Sequence, residues 1–150
     1  MDKRALIATS VLALTLGAFC TSAQARSIPG IVGHPGGDGD PSCFVEDYGS
    51  IRNVCGGFKL WVTALPVDPD GVYSANYFVR VPSGGGVSCT TWGISSDFTK
   101  TSSGNIDFTN TTGATVTKAL TPGSVTVPFN GHMFGGCWLS TNAQLLHTTY

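Results

Sequence analysis

Residues 73–86 read Tyr-Ser-Ala-Asn-Tyr-Phe-Val-Arg-Val-Pro-Ser-Gly-Gly-Gly, and this stretch sets the fold class. Tyr73, Ala75, Tyr77, Val79 and Val81 alternate with Ser74, Asn76, Phe78 and Arg80. A period of two places each set on one face of an extended strand, whereas a helix needs apolar residues three and four apart. Pro82 to Gly86 then supplies the chemistry of a turn.

The same period recurs on both sides of this stretch. Phe58, Leu60, Val62 and Ala64 alternate with Lys59, Trp61 and Thr63, which puts Trp61 on the more polar side of its strand. Ile106 and Phe108 alternate with Asn105, Asp107 and Thr109; Val125, Val127 and Phe129 alternate with Ser124, Thr126 and Pro128. Turn signals at Asp68-Pro69-Asp70-Gly71, Ser103-Gly104-Asn105, Asn110-Thr111-Thr112-Gly113 and Pro122-Gly123 separate the runs. About eight or nine short strands result, which predicts an all-β domain. The expected architecture is an antiparallel β-sandwich, Ig-like or jelly-roll-like, with a small β-barrel as the alternative. Pro128 cannot donate a ladder hydrogen bond, so its strand belongs at an edge or at a bulge.

Upstream of the strands the chain changes character twice. Met1-Asp2-Lys3-Arg4 is a basic start, Ala5 to Phe19 is mostly apolar, and Ala23-Gln24-Ala25 has the small-x-small pattern of a signal peptidase site. Residues 1–25 therefore read as a secretory signal peptide, cleaved before Arg26, and place the protein outside the cell or in the periplasm. Residues 26–41 are rich in Gly and Pro, with Ile28, Ile31 and Val32 as their large apolar members, and are expected to form a flexible arm. A single domain is expected over residues 42–150.

Once the leader is removed, six basic and eight acidic residues remain, a formal charge of −2. The cations are scattered singly, which argues against a nucleic-acid partner. No later run approaches the roughly 20 apolar residues of a spanning helix, so no integral membrane segment is expected after cleavage. Cys20 leaves with the leader, and Cys43, Cys55, Cys89 and Cys137 form an even set suited to an oxidising compartment. Asp47-Tyr48-Gly49-Ser50 lies midway between Cys43 and Cys55, so two strands meeting across that turn would bring this pair together. Cys89 with Cys137 follows by elimination. The absence of C-x-x-C and of zinc spacing leaves these as structural bridges.

Trp61, Trp92 and Trp138 are the candidate ligand-binding residues. Cys89 and Trp92 are three apart, and Cys137 and Trp138 are adjacent, so each tryptophan opposes its cysteine on a regular strand. If the Cys89–Cys137 bridge lies in the core, Trp92 and Trp138 face outward with Ile94 and Phe134. Outward aromatics on a rigid sheet stack on the apolar faces of sugar rings; the competing expectation is that the tryptophans fill the core. Asp38, Asp40, Asp68 and Asp70 form two acidic turns of the kind that can ligate calcium, although such turns also occur without a metal, and no other cofactor is expected. His34, His132 and His147 lie in no catalytic motif.

The expected function is a secreted, non-catalytic binding or surface-interaction module with an extracellular glycan or protein partner. Its alternatives are a structural subunit of a coat or filament, whose arm would add a strand to a neighbour's sheet, and a small hydrolase using His132 or His147. Oligomeric state is not legible in the sequence.

Overall fold

The computed structural model describes residues 25–37, 39–68, 70–97 and 101–150. The expected leader up to residue 24, and Asp38 of the first acidic turn, lie outside them. Two antiparallel sheets face each other. Sheet A has the order β11 (Val116–Leu120), β7 (Asn76–Val81), β14 (Gln144–Thr149), β4 (Ser50–Asn53) and β3 (Phe44–Asp47), with β1 (Ser27–Pro29) also paired to β14. Sheet B has the order β10 (Asp107–Asn110), β8 (Gly86–Ile94), β13 (His132–Leu139), β5 (Lys59–Leu65) and β2 (His34–Pro35), with β9 (Thr101–Ser103) paired to β8. A separate ribbon joins β6 (Gly71–Tyr73) to β12 (Val125–Val127). Among the described strands nine have four residues or more, in line with the sequence expectation.

The strand orders define the topology. β4-β14-β7-β11 in one sheet faces β5-β13-β8-β10 in the other, and each of the links β4 to β5, β7 to β8, β10 to β11 and β13 to β14 crosses between sheets. This is the arrangement of an eight-stranded jelly roll. The four crossing links are joined in two pairs by main-chain and side-chain bonds. Gly84 N–H donates to Thr111 O at 2.8 Å, Asn142 N–H to Asn53 O at 2.7 Å, and Thr141 Oγ1 to Cys55 O at 2.9 Å. Backbone groups in loops therefore find partners although no ladder reaches them.

The core is built from alternate residues of both sheets. Tyr77, Val79, Val81, Ile51 and Leu145 of sheet A meet Val87, Cys89, Leu65, Met133, Cys137 and Leu139 of sheet B. Both bridges form as the sequence implies. Cys43–Cys55 closes the open end of the β3–β4 hairpin, whose turn is Tyr48-Gly49. Cys89–Cys137 links directly opposed residues of β8 and β13, with Cα atoms 4.1 Å apart.

Three expectations require correction. Residues 26–41 do not form a free arm, since β1 pairs with β14, β2 pairs with β5, and Gly36 N–H donates to Leu60 O at 2.8 Å. Backbone pairing supplies what apolar burial could not, and glycine permits the close approach. A Cβ at Gly30 would stand 1.9 Å from Leu145 O, and one at Gly33 2.4 Å from Val62 O. The facing of β5 is also reversed: Trp61 is opposite Cys137, so it shares the buried side of the bridge, while Leu60, Val62 and Ala64 turn away. In β10, likewise, Thr109 is buried opposite Val87 and Phe108 is exposed opposite Ser88. Pro128 lies just beyond the end of β12, and the strand stops before the missing donor matters.

Candidate functional site

The outer face of sheet B carries a concentration of aromatic and aliphatic side chains. Trp92 lies opposite Phe134, Trp138 opposite Ser88 and Leu60, and Phe108 opposite Ser88 on its other side, so all share one face. Their inward neighbours are the buried Thr91, Cys89, Cys137 and Met133, which fixes the facing by strand alternation. The rings of Trp92 and Trp138 meet edge to face, with centroids 6.2 Å apart and planes at 75°. That arrangement suits two ring quadrupoles.

Gly135-Gly136 makes this arrangement possible. A Cβ on Gly136 would stand 2.4 Å from Trp92 Cη2 and 2.5 Å from its Cζ3, so the indole lies across bare backbone on its way to Trp138. Gly135 does the corresponding service inside, where an added Cβ would stand 2.2 Å from Tyr77 Oη. The Tyr77 hydroxyl bonds Thr91 Oγ1 at 2.9 Å and donates to Thr90 O at 3.2 Å. Burial raises the pKa of this phenol well above its ordinary value, and the bond to Thr91 only partly opposes the shift.

The outward positions of the described strands of sheet B carry no Asp, Glu, Lys or Arg: they include Ser88, Thr90, Ser103 and Asn110 beside the apolar groups. Phe58 and Phe108 lie at the end near Gly86, where an added Cβ would be within 3.4 Å of both rings. On the opposite border the segment around Gly36 passes over Leu60 and Val62. The residues expected as an arm thus form one rim of this face.

The three tryptophans therefore divide. Trp92 and Trp138 are half-buried on the outer face, while Trp61 is only 6% exposed, packed on Phe44 at a centroid distance of 4.9 Å. Phe58, Leu60 and Phe108 were not singled out from the sequence as part of this face. The Cys89–Cys137 pair sets only the β8–β13 register, and the facing of Leu60 and Phe108 follows from the flanking β5 and β10 ladders.

Of the residues in the acidic turns, Asp40 and Asp68 make contacts with other side chains or backbone. Asp40 Oδ1 accepts from Ser42 N–H at 2.8 Å at the start of a short 3-10 turn (Pro41–Cys43), and these Ser42 bonds hold its carboxyl below the usual range. Asp68 pairs with Arg26, and Asp70 is exposed. Among the described residues no three His, Cys, Asp or Glu side chains gather as a metal site would require. His147 stacks on Phe78 at 4.2 Å, and His132 meets the edge of Phe134 at 6.4 Å. No hydrogen bond joins either ring to a carboxylate or hydroxyl among the described residues.

No family model and no curated protein matches the chain. Solved structures do resemble it. A carbohydrate-binding module from Cellvibrio mixtus lichenase 5A, in complex with cellotriose, is 16% identical over 83% of this chain and 94% of its own, with a TM-score of 0.48. An isomalto-dextranase from Arthrobacter globiformis T6, complexed with panose, is 14% identical over 83% of this chain, with a TM-score of 0.50. The matching region spans only 23% of that enzyme. At such identity the likeness to the dextranase concerns the fold, in keeping with a β-sandwich. No helix among the described residues is long and apolar enough to cross a membrane.

Proposed function

We propose that this chain is an exported, non-catalytic binding module that holds an uncharged glycan on the outer face of sheet B, with Trp92 and Trp138 as the stacking platform. The observation that carries this reading is the edge-to-face indole pair, with Trp92 laid over Gly136, on a face whose described outward strand positions hold no Asp, Glu, Lys or Arg. Indole presents a rigid apolar surface to the C–H face of a sugar ring at little cost in side-chain entropy. Ser88, Ser103 and Asn110 supply neutral hydrogen-bonding groups at the same level. An uncharged face suits an uncharged polymer, because a buried unpaired carboxylate would lose its hydration without compensation. Trp61 has no part in this contact.

Affinity electrophoresis in neutral polysaccharides (cellulose derivatives, xylan, mannan, dextran), followed by calorimetric titration, tests the reading. The wild-type chain is expected to be retarded by at least one polymer. Trp92→Ala and Trp138→Ala should each weaken binding by roughly tenfold, the equivalent of ~1.4 kcal/mol. Lack of retention on all of them, or equal retention of both variants, would overturn the proposal. Export accompanies this reading: two disulfides suit an oxidising compartment, and the protein recovered outside the cytoplasm should begin at Arg26 on amino-terminal sequencing.

A further inference from the structure

The outer face of sheet A has a different chemistry. Gln144 of β14 lies opposite Arg52 of β4 on one side and Arg80 of β7 on the other, so the three side chains form a row across adjacent strands. Their chain neighbours Ile51, Leu145 and Val79 point into the core, which commits the row to the outer face. Gln144 is 7% exposed and its Nε2 donates to Asp47 Oδ2 at 2.7 Å. The same carboxylate oxygen stands 4.0 Å from Arg52 Nε, an ion pair too long for a hydrogen bond, and that Nε is buried without a hydrogen-bond partner among the described residues. Arg80 is exposed and has no hydrogen-bond or ion-pair partner among the described residues. Two guanidinium groups against one carboxylate leave a surplus of one positive charge.

An aromatic stands beside this row. Tyr48 is fully exposed, at 104% of its reference area, on the tip of the β3–β4 hairpin. Its φ is 50° and that of Gly49 is 81°, the signs of a two-residue hairpin turn in which Asn or Gly is usual at the first position. A tyrosine there accepts backbone strain and hides no apolar surface, so folding gives it no reason to be aromatic. Tyr48, Asp47, Arg80, Gln144 and His147 border one cleft of about 380 Å³. Arg52 borders an adjoining cleft of about 280 Å³, which shares Asp47, Arg80 and Gln144 with the first. His147 is held against Phe78 as a fixed wall.

From this we infer that the outer face of sheet A is a second binding site, one that takes a sugar bearing a carboxylate, a uronate unit. The carboxylate pairs with the exposed Arg80 guanidinium and reaches the solvent-facing part of the Arg52 side chain. The pyranose ring lies against Tyr48, and Asp47, held in place by Gln144, bonds its hydroxyls. The strands of Arg52 and Arg80 are two interstrand spacings apart, roughly 10 Å, a gap that two guanidinium arms converging on one carboxylate can close. A single surplus charge matches a monoanion.

Calorimetric titration of the full chain with oligogalacturonate and oligoglucuronate, beside a neutral cello-oligosaccharide and a sulfated one, separates the possibilities. At least one uronate oligomer should bind and weaken as salt is raised. Arg80→Gln and Tyr48→Gly should each lower that affinity about tenfold, while Trp92→Ala leaves it unchanged. Tyr48→Gly removes the strained aromatic, so its melting temperature should not fall, and lost binding cannot then be read as lost folding. No uronate binding by the wild-type chain, equal affinity in the Arg80 and Tyr48 variants, or a loss shared by Trp92→Ala would each overturn the inference. Equally tight binding of the sulfated oligomer through the same residues would overturn the carboxylate assignment. Neutral glycan binding that fails in Trp92→Ala and survives in Arg80→Gln belongs to the sheet B site alone.

Discussion

Gly135 and Gly136 show how much one residue decides in this fold. Adjacent on β13, they serve opposite faces, one receiving Tyr77 in the core and the other Trp92 outside. Gly135→Ala should cost about 1–3 kcal/mol, because the added carbon meets a ring held by hydrogen bonds to Thr91 and Thr90. A chemical denaturation midpoint equal to that of the wild type would contradict this. Gly136→Ala meets a ring with solvent on one side, so binding should suffer more than folding. Thr63 gives the opposite expectation. Its hydroxyl is buried without a hydrogen-bond partner among the described residues, and Thr63→Val keeps the shape while removing that group, so stability should rise by about 1 kcal/mol. Equilibrium urea unfolding of the two chains measures the difference.

At the level of strands, what could be read from the sequence was whatever rests on local chemistry. The Cys43–Cys55 pairing was legible because a two-residue turn lies midway between the cysteines, and the β3–β4 register follows from it. The facing of Trp92 and Trp138 was legible once Cys89 and Cys137 were placed in the core. The facing of Trp61 was not, since an aromatic between Lys59 and Thr63 gives no local sign of its side; opposition to Cys137 across two strands decided it. The segment 26–41 misled for a related reason: composition reports side-chain burial, and β1 and β2 are held by main-chain bonds to β14 and β5. Cys89–Cys137 spans 48 residues in sequence, and its removal by paired Ala substitution should cost about 4 kcal/mol in the chain-entropy account. Because eight opposed residue pairs hold β8 against β13, the double variant, where it remains folded, should keep its affinity for neutral glycan. Selective loss of that affinity at temperatures well below its melting point would show that the bridge, and not the ladder, places the indoles.

For the molecule as a whole, stability should depend on alkaline pH through the buried Tyr77. Its pKa is raised above the ordinary 10.0 chiefly by burial, so the folded state keeps the proton after the unfolded chain has begun to lose it. The stabilisation is therefore fully present below about pH 10 and declines as pH rises beyond that value. Melting temperatures at pH 8 and pH 11 should diverge more for the wild type than for Tyr77→Phe. At pH 8 the substitution itself should cost about 1 kcal/mol through the lost bonds to Thr91 and Thr90. Equal slopes in the two proteins would remove Tyr77 as the source.

Strand period, turn chemistry and cysteine spacing were sufficient for an all-β sandwich with two bridges, because each acts over a few residues and leaves its mark there. The jelly-roll order, the capture of the amino-terminal segment, the burial of Trp61 and the Arg52–Gln144–Arg80 row all arise from residues far apart in the chain. Those pairings depend on which strands become neighbours, and neighbour choice is settled by packing two sheets around one core.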